Sequence, residues 1–439
     1  MQLDLPVSAV RWNGRVNHTF RRLWLGQLIS NLGTQCSLYG IGLWSFEQRG
    51  ELLGFAAVAF VVQLAKVSVL PLLGRYMGSW PRRRLMLIAN GIGASCTIVL
   101  AVQLLLLGHP QPLQLLPLLA LAAMAEAALV LAFASLIPLL EADPQRLARA
   151  NGLFVSSDGL VLSMAPFLGS ALVARFGLAG VLLLDGLSFV VATVCLLAAP
   201  WPAELQRPGP GSNPPGEHAL AVPPGALGLR WLWRQAAARQ VLLLGTAMAF
   251  VYGSIDVLFP AWLIAGPGRD RLLPGLLLGA SGYGLGLLLW GSWGWRRPAA
   301  VLAICLVLQS LVLMGAGLLV FEDRLLFWYG GLLVFSLALP LALSALQMRW
   351  QQLVAPEQLP RVLAQRYRLE WAARLLAFLC SAVLADALLL PLLAWEHWPG
   401  WLVASLGQGP GRHLAVSLGA MGWVLVLALL LQRRIRMRT

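Results

Sequence analysis

The sequence predicts an all-α integral membrane protein with twelve transmembrane helices arranged as two six-helix bundles. Three observations carry that fold class. Of the 439 residues, 59% are apolar and 11% charged, with a mean hydropathy of +0.76, far from the make-up of a soluble domain. The apolar residues gather into runs close to the ~20 residues that cross a hydrocarbon core of roughly 30 Å. The arginines fall between those runs with a strong bias to alternate loops.

Taken in order, the predicted spans cover 23–46, 52–74, 85–107, 115–140, 151–174, 178–199, 241–264, 274–293, 299–321, 325–347, 369–394 and 414–431. Spans two and three form a hairpin whose turn carries Arg75, Arg82, Arg83 and Arg84. Basic residues beside a span resist translocation, so this turn is assigned to the cytoplasm and fixes the orientation of the rest. With the N-terminus inside, 24 arginines lie on cytoplasmic segments and six on external ones, and only Lys66 and Arg374 fall within spans. The expected location is therefore the cell (inner or plasma) membrane, multi-pass, with both termini cytoplasmic.

The predicted organisation is a cytoplasmic tail (1–22), a first bundle (23–199), a cytoplasmic linker (200–240), a second bundle (241–431) and a basic tail (432–439). The linker opens on Pro208, Gly209, Pro210, Gly211, Ser212, Pro214 and Pro215, a composition that favours flexible chain. Its end, Leu227 to Gln240, mixes Trp231 and Trp233 with Arg230, Arg234 and Arg239 and suits either an interfacial helix or an ordinary solvated lead-in to span seven. The net charge of +14 follows from this topology, so a nucleic-acid partner is not expected. Neither a cleaved signal peptide nor a CxxC pattern is read, and Cys36, Cys96, Cys195, Cys305 and Cys380 are expected to be small core residues.

The two halves repeat. Arg82-Arg83 after span two corresponds to Arg296-Arg297 after span eight, and Ala142-Asp-Pro-Gln145 corresponds to Ala355-Pro-Glu-Gln358, both at an offset of about 213 residues. Two unrelated loops sharing one offset point to a duplicated six-helix unit, as in transporters built from parallel repeats.

The segments Phe20 to Gly33, Pro71 to Arg84, Pro144 to Gly152 and Val354 to Glu357 with Arg361-Val362, together with Leu184-Asp185, Ala385-Asp386 and Gly409 to Arg412, resemble the major facilitator superfamily. Within it they are most similar to bacterial exporters of the secretion-effector, macrolide and siderophore type. The resemblance implies alternating access through a central cavity lined by spans 1, 4, 7 and 10, and export driven by a proton gradient. It also implies a cytoplasmic gating motif, matched here by Gly74, Arg82, Arg83 and Arg361. Gly78 and Ser79 stand where that motif has Asp and Arg, and Thr34 stands where relatives often have Asp or Ser.

Candidate cavity residues follow from polar groups inside apolar spans. Gln27, Asn31 and Gln35 recur at i, i+4 and i+8 on one face of span one, where they either line a cavity or join helices. Tyr39 continues this span as a possible substrate contact, and Trp44 as an interface anchor. Lys66, the sole lysine, needs a partner or water at its depth, with Glu126 preferred and Asp158 second. Glu126 is in turn either a reversibly protonated group or the structural partner of Lys66. Asp256, one turn before Pro260, is a candidate because the proline frees a backbone carbonyl. Asp185 and Asp386 are read as structural, Glu370 as held by Arg366 and Arg374 one turn to either side, and Gly279 to Gly286 as close helix packing.

His18, His109, His218, His397 and His413 all fall in predicted loops or tails, and no HExxH, GxSxG or phosphate-binding glycine loop occurs. The expectation is therefore no enzyme, no cofactor and no metal. It is a monomeric secondary transporter exporting a small amphipathic molecule, with protons and membrane lipids as its other partners. The alternatives are a lipid or lysolipid flippase on the same fold, or a membrane scaffold or receptor that does not transport.

Overall fold

The computed structural model describes residues 15–49, 52–76, 80–107, 112–141, 143–201, 229–265, 272–292, 296–318, 325–355, 358–393 and 411–436. Gly78, Ser79 and the Pro/Gly/Ser tract of the linker lie outside these residues. The chain is an all-α membrane protein, with twelve long helices and one short one among the described residues. The first four are α1 (Arg15–Arg49), α2 (Leu52–Tyr76), α3 (Arg82–Leu107) and α4 (Pro112–Leu140). Eight segments among the described residues are both long and apolar enough to cross a membrane by length and composition.

Spans five and six form one helical run, Pro144–Ala198, which begins seven residues earlier than the apolar pattern alone placed it. The early start has a local cause. Asp143 caps the run by accepting the Arg146 N–H at 2.9 Å, and Pro144 occupies the first turn, where its missing N–H costs nothing. Gly177, at φ 67° and ψ 171°, breaks the run into α5 (144–176) and α6 (178–198). A Cβ at Gly177 would meet nothing within 4 Å, so the requirement there is backbone conformation and not space.

Beyond the linker come the short helix α7 (Leu229–Arg234) and, after a bend at Gln235, α8 (Ala236–Ala265). There follow α9 (Leu272–Ser292), α10 (Pro298–Leu318), α11 (Leu325–Leu353), α12 (Leu359–Ala382) and α13 (Arg412–Arg436). Past Ala382, α12 continues through a more widely wound π turn, Val383–Leu389, around Asp386.

The helices form two compact units. One holds the described residues up to Trp231 together with Trp350–Arg368, and the other holds Leu232–Arg349 and Leu369 onward. In the first unit α1 packs on the α5–α6 run, α3 on that run and on α4, and α2 on α4. Ile41, Leu100, Leu115 and Leu182 anchor a core cluster there, and Trp44 packs partly buried against it. Cys36, Cys96 and Cys305 are buried as expected, whereas Cys380 is exposed.

In the second unit α13 packs on α8 and α10. Glycines allow this unit its closest helix approaches. A Cβ at Gly282 would lie 2.7 Å from the Leu333 carbonyl oxygen, one at Gly286 would collide with that of Leu337, and one at Gly317 would lie 2.7 Å from Gly419 Cα. This is the packing role read from the sequence for Gly282 and Gly286, though Gly284 faces open space.

Candidate transport site

The first unit holds a charged pair in its interior. Lys66 Nζ on α2 donates to Glu126 Oε1 on α4 at 2.6 Å, with the two side chains 13% and 19% exposed. This is the partner preferred from the sequence. The physical reason is that an ammonium on an apolar helix cannot stay desolvated without an anion beside it. Asp158, the second choice, is used elsewhere: its Oδ1 accepts from Asn31 Nδ2 at 3.0 Å and joins α5 to α1. Gln27 and Gln35, which share the face of Asn31, are half-buried. Tyr39 lies against α5, with its ring 3.2 Å from where a Cβ at Gly169 would stand.

Near this pair, α6 supplies Asp185, whose Oδ1 accepts from Thr34 Oγ1 on α1 at 3.2 Å and from Ser188 Oγ at 3.2 Å. Gly33 opens the space, since a Cβ there would come within 2.7 Å of that carboxylate oxygen.

The gating-motif residues lie in the same unit. Gly74 on α2 faces the start of α12: a Cβ on it would lie 2.7 Å from Ala364 Cβ and 3.6 Å from the Arg361 carbonyl oxygen. Arg83 donates to the Leu197 carbonyl at 3.5 Å and Arg22 to the Ala198 carbonyl at 2.6 Å, so both cations close the C-terminal end of α6, where free carbonyls concentrate negative charge. Arg82 is half-buried beside them in sequence. Sequence reasoning missed one contact here. Asn151 Nδ2 donates to Gln351 Oε1 at 2.6 Å and Gln351 Nε2 returns a bond to Asn151 Oδ1 at 3.0 Å, a reciprocal pair between residues 200 apart.

In the second unit Asp256 on α8 accepts from Arg374 Nη2 on α12 at 2.5 Å, with the side chains 45% and 37% exposed. Arg374 is thus drawn to another helix, although spacing alone assigned it to Glu370. Glu370 is buried, with its carboxylate where a Cβ at Gly245 would overlap it. Tyr252 donates to Gln309 Oε1 at 2.8 Å and joins α8 to α10. Among the described residues, no cluster of three or more His, Cys, Asp and Glu is arranged to hold a metal ion.

The geometry is that of a polytopic helical membrane protein with ion pairs joining its helices. The model of the Major Facilitator Superfamily matches residues 23–367, and the chain belongs to that superfamily. No curated protein matches the sequence. Among solved structures, that of the human organic anion transporter MFSD10 (TETRAN) aligns with a TM-score of 0.68 at 16% identity, covering 96% of this chain and 100% of that one. A bacterial homologue of the iron transporter ferroportin in its outward-facing state aligns with a TM-score of 0.70 at 17% identity, covering 95% and 99%. The same homologue soaked with iron gives 0.66 at 16% identity, covering 95% and 98%. These likenesses concern the fold.

Proposed function

We propose that this protein is an exporter of a small amphipathic molecule, working by alternating access and coupled to a proton gradient, in the cell membrane with both termini cytoplasmic. The observation that carries the reading is the Lys66–Glu126 pair. Nothing in the packing of an inert helical bundle calls for two ions in its interior, and replacing such a pair by apolar groups is often neutral or stabilising. Kept charges inside a membrane bundle mark a substrate or ion path.

In this reading Lys66 and Glu126, with Gln27, Asn31, Gln35 and Tyr39 on α1, border the path in the first unit, and Asp256 borders it in the second. An amide-lined, half-buried helix face beside an ion pair offers hydrogen bonds to a polar head while neighbouring apolar side chains take a hydrophobic body. Gly74, with Arg361 opposite it, and the helix-closing Arg83 form the cytoplasmic contact that opens and closes in the cycle.

The test is transport by purified protein in liposomes, with an imposed proton gradient and ethidium plus a panel of amphipathic dyes as probes. Gradient-dependent dye movement, reduced by Glu126→Gln, is expected. Absence of movement for every probe, in vesicles whose protein is verified as folded, would overturn the reading in favour of a chain that does not transport.

A further inference from the structure

Asp185 is the most deeply buried carboxylate among the described residues, at 1% exposure, and its surroundings do not suit a permanent charge. Neither arginine, lysine nor histidine forms an ion pair with it among the described residues. Its Oδ2 is buried with no hydrogen-bond partner. The contacts to Oδ1 from Thr34 and Ser188 are long, both 3.2 Å, and Ser188 Oγ lies closer, at 2.7 Å, to the backbone carbonyl of Asp185 itself. A hydroxyl has one proton to give, so the shorter contact takes the Ser188 donor.

The remaining neighbours are known element by element. From α1 come Thr34, the buried hydroxyl of Ser37 and the buried thiol of Cys36, and Gly33 brings bare backbone against the carboxyl. On α3, Thr97 lies beside the adjoining Gly186, where a Cβ would come within 3.7 Å of its hydroxyl, and that hydroxyl is bonded within its own helix to Gly93 and Ala94. From α4 the charged group that acts on Asp185 is Glu126, an anion already engaged by Lys66. The hydroxyls around it favour the carboxylate, but burial without a counter-ion and a second negative charge at Glu126 oppose it, whereas a neutral acid keeps the carbonyl oxygen as an acceptor for Thr34 and carries no buried charge.

We infer that Asp185 is the proton-binding residue of the transport cycle: it carries a proton while its carboxyl is enclosed between α1 and α6, and releases it when the cycle brings water to that carboxyl. The step balances simply, with the acid O–H bond breaking, the proton passing to water and the carboxylate left behind. The inference rests on the reading of the chain as a proton-coupled exporter, so its first test needs no substrate.

Infrared spectra of the full chain in lipid nanodiscs should show the carbonyl stretch of a protonated carboxylic acid at neutral pH that fades towards alkaline pH. Asp185→Asn should lose that band and Glu126→Gln should keep it. Thr34→Val, which leaves the carboxyl in place, should keep the band and raise its frequency, because one hydrogen bond to the carbonyl oxygen is gone. In liposomes with ethidium as probe, Asp185→Asn should lose proton-driven uptake and retain exchange of dye across vesicles without a gradient. A wild-type spectrum lacking a band assignable to Asp185, or a band unchanged in alkali, would overturn the assignment. So would an Asp185→Asn variant with full proton-driven uptake, or stabilisation by sodium that this variant abolishes. Failure of wild-type protein to move ethidium would count against the export reading alone, and the spectra would still decide the proton site.

Discussion

The interiors of the two units hold the same chemistry under different conditions. Each joins two helices by one cation and one carboxylate at nearly contact distance, Lys66 to Glu126 in the first and Arg374 to Asp256 in the second. In the first, both side chains are largely withdrawn from their surroundings, and in the second, more than a third of each remains accessible. A desolvated ion depends on its partner, because removing the partner strands a charge; an ion facing the water of a transport path, as Asp256 does in the proposed function, has alternatives. The first unit therefore depends on polar groups satisfying one another, in the ion pair, the Asn31–Asp158 bond and the Asn151–Gln351 exchange. The second draws its closest contacts from glycines set against backbone.

That comparison can be broken or sharpened by substitution. The largest effect is expected from Lys66→Met, which leaves Glu126 without its counter-ion and should cost about 3–5 kcal/mol in unfolding measured in mixed micelles. Next comes Gly286→Ala in the second unit, where the added methyl runs into the Leu337 carbonyl; overpacking of this kind costs about 1–3 kcal/mol and should show as a lowered midpoint of thermal unfolding. Asn151→Ala should cost about 1–2 kcal/mol, and adding Gln351→Ala should cost little more, because the two amides satisfy each other. The smallest effect is expected from Arg374→Met, about 0–1 kcal/mol by the same unfolding assay, since Asp256 keeps access to its surroundings. An Arg374→Met loss as large as that of Lys66→Met would erase the distinction between the units.

The fold was legible because length and apolarity dictate a spanning helix, and both are local properties. Lys66–Glu126 was legible for a related reason. A single lysine inside an apolar span has very few ways to remain stable, and the chain offers few acids at comparable depth. For Asn31 the polar face could be read but not its partner Asp158, because periodicity gives the side a residue occupies on its own helix and not how neighbouring helices are rotated against it. Arg374 shows the limit of local spacing. An i,i+4 neighbour in Glu370 contributes only about 0.2–0.5 kcal/mol, which a better-placed carboxylate on another helix overrides. The Asn151–Gln351 exchange left no local trace, since neither amide is unusual at the end of a helix.

The central claim is that Lys66 and Glu126 depend on each other more than Arg374 and Asp256 do. Two double-mutant cycles in the same micelles measure it directly, one through Lys66→Met and Glu126→Gln, the other through Arg374→Met and Asp256→Asn. The account predicts that the double variant of the first pair recovers much of the stability lost by Lys66→Met, giving a coupling of about 2 kcal/mol or more, while the second pair couples by about 1 kcal/mol or less. Additive losses at Lys66 and Glu126, or equal coupling in the two pairs, would contradict it.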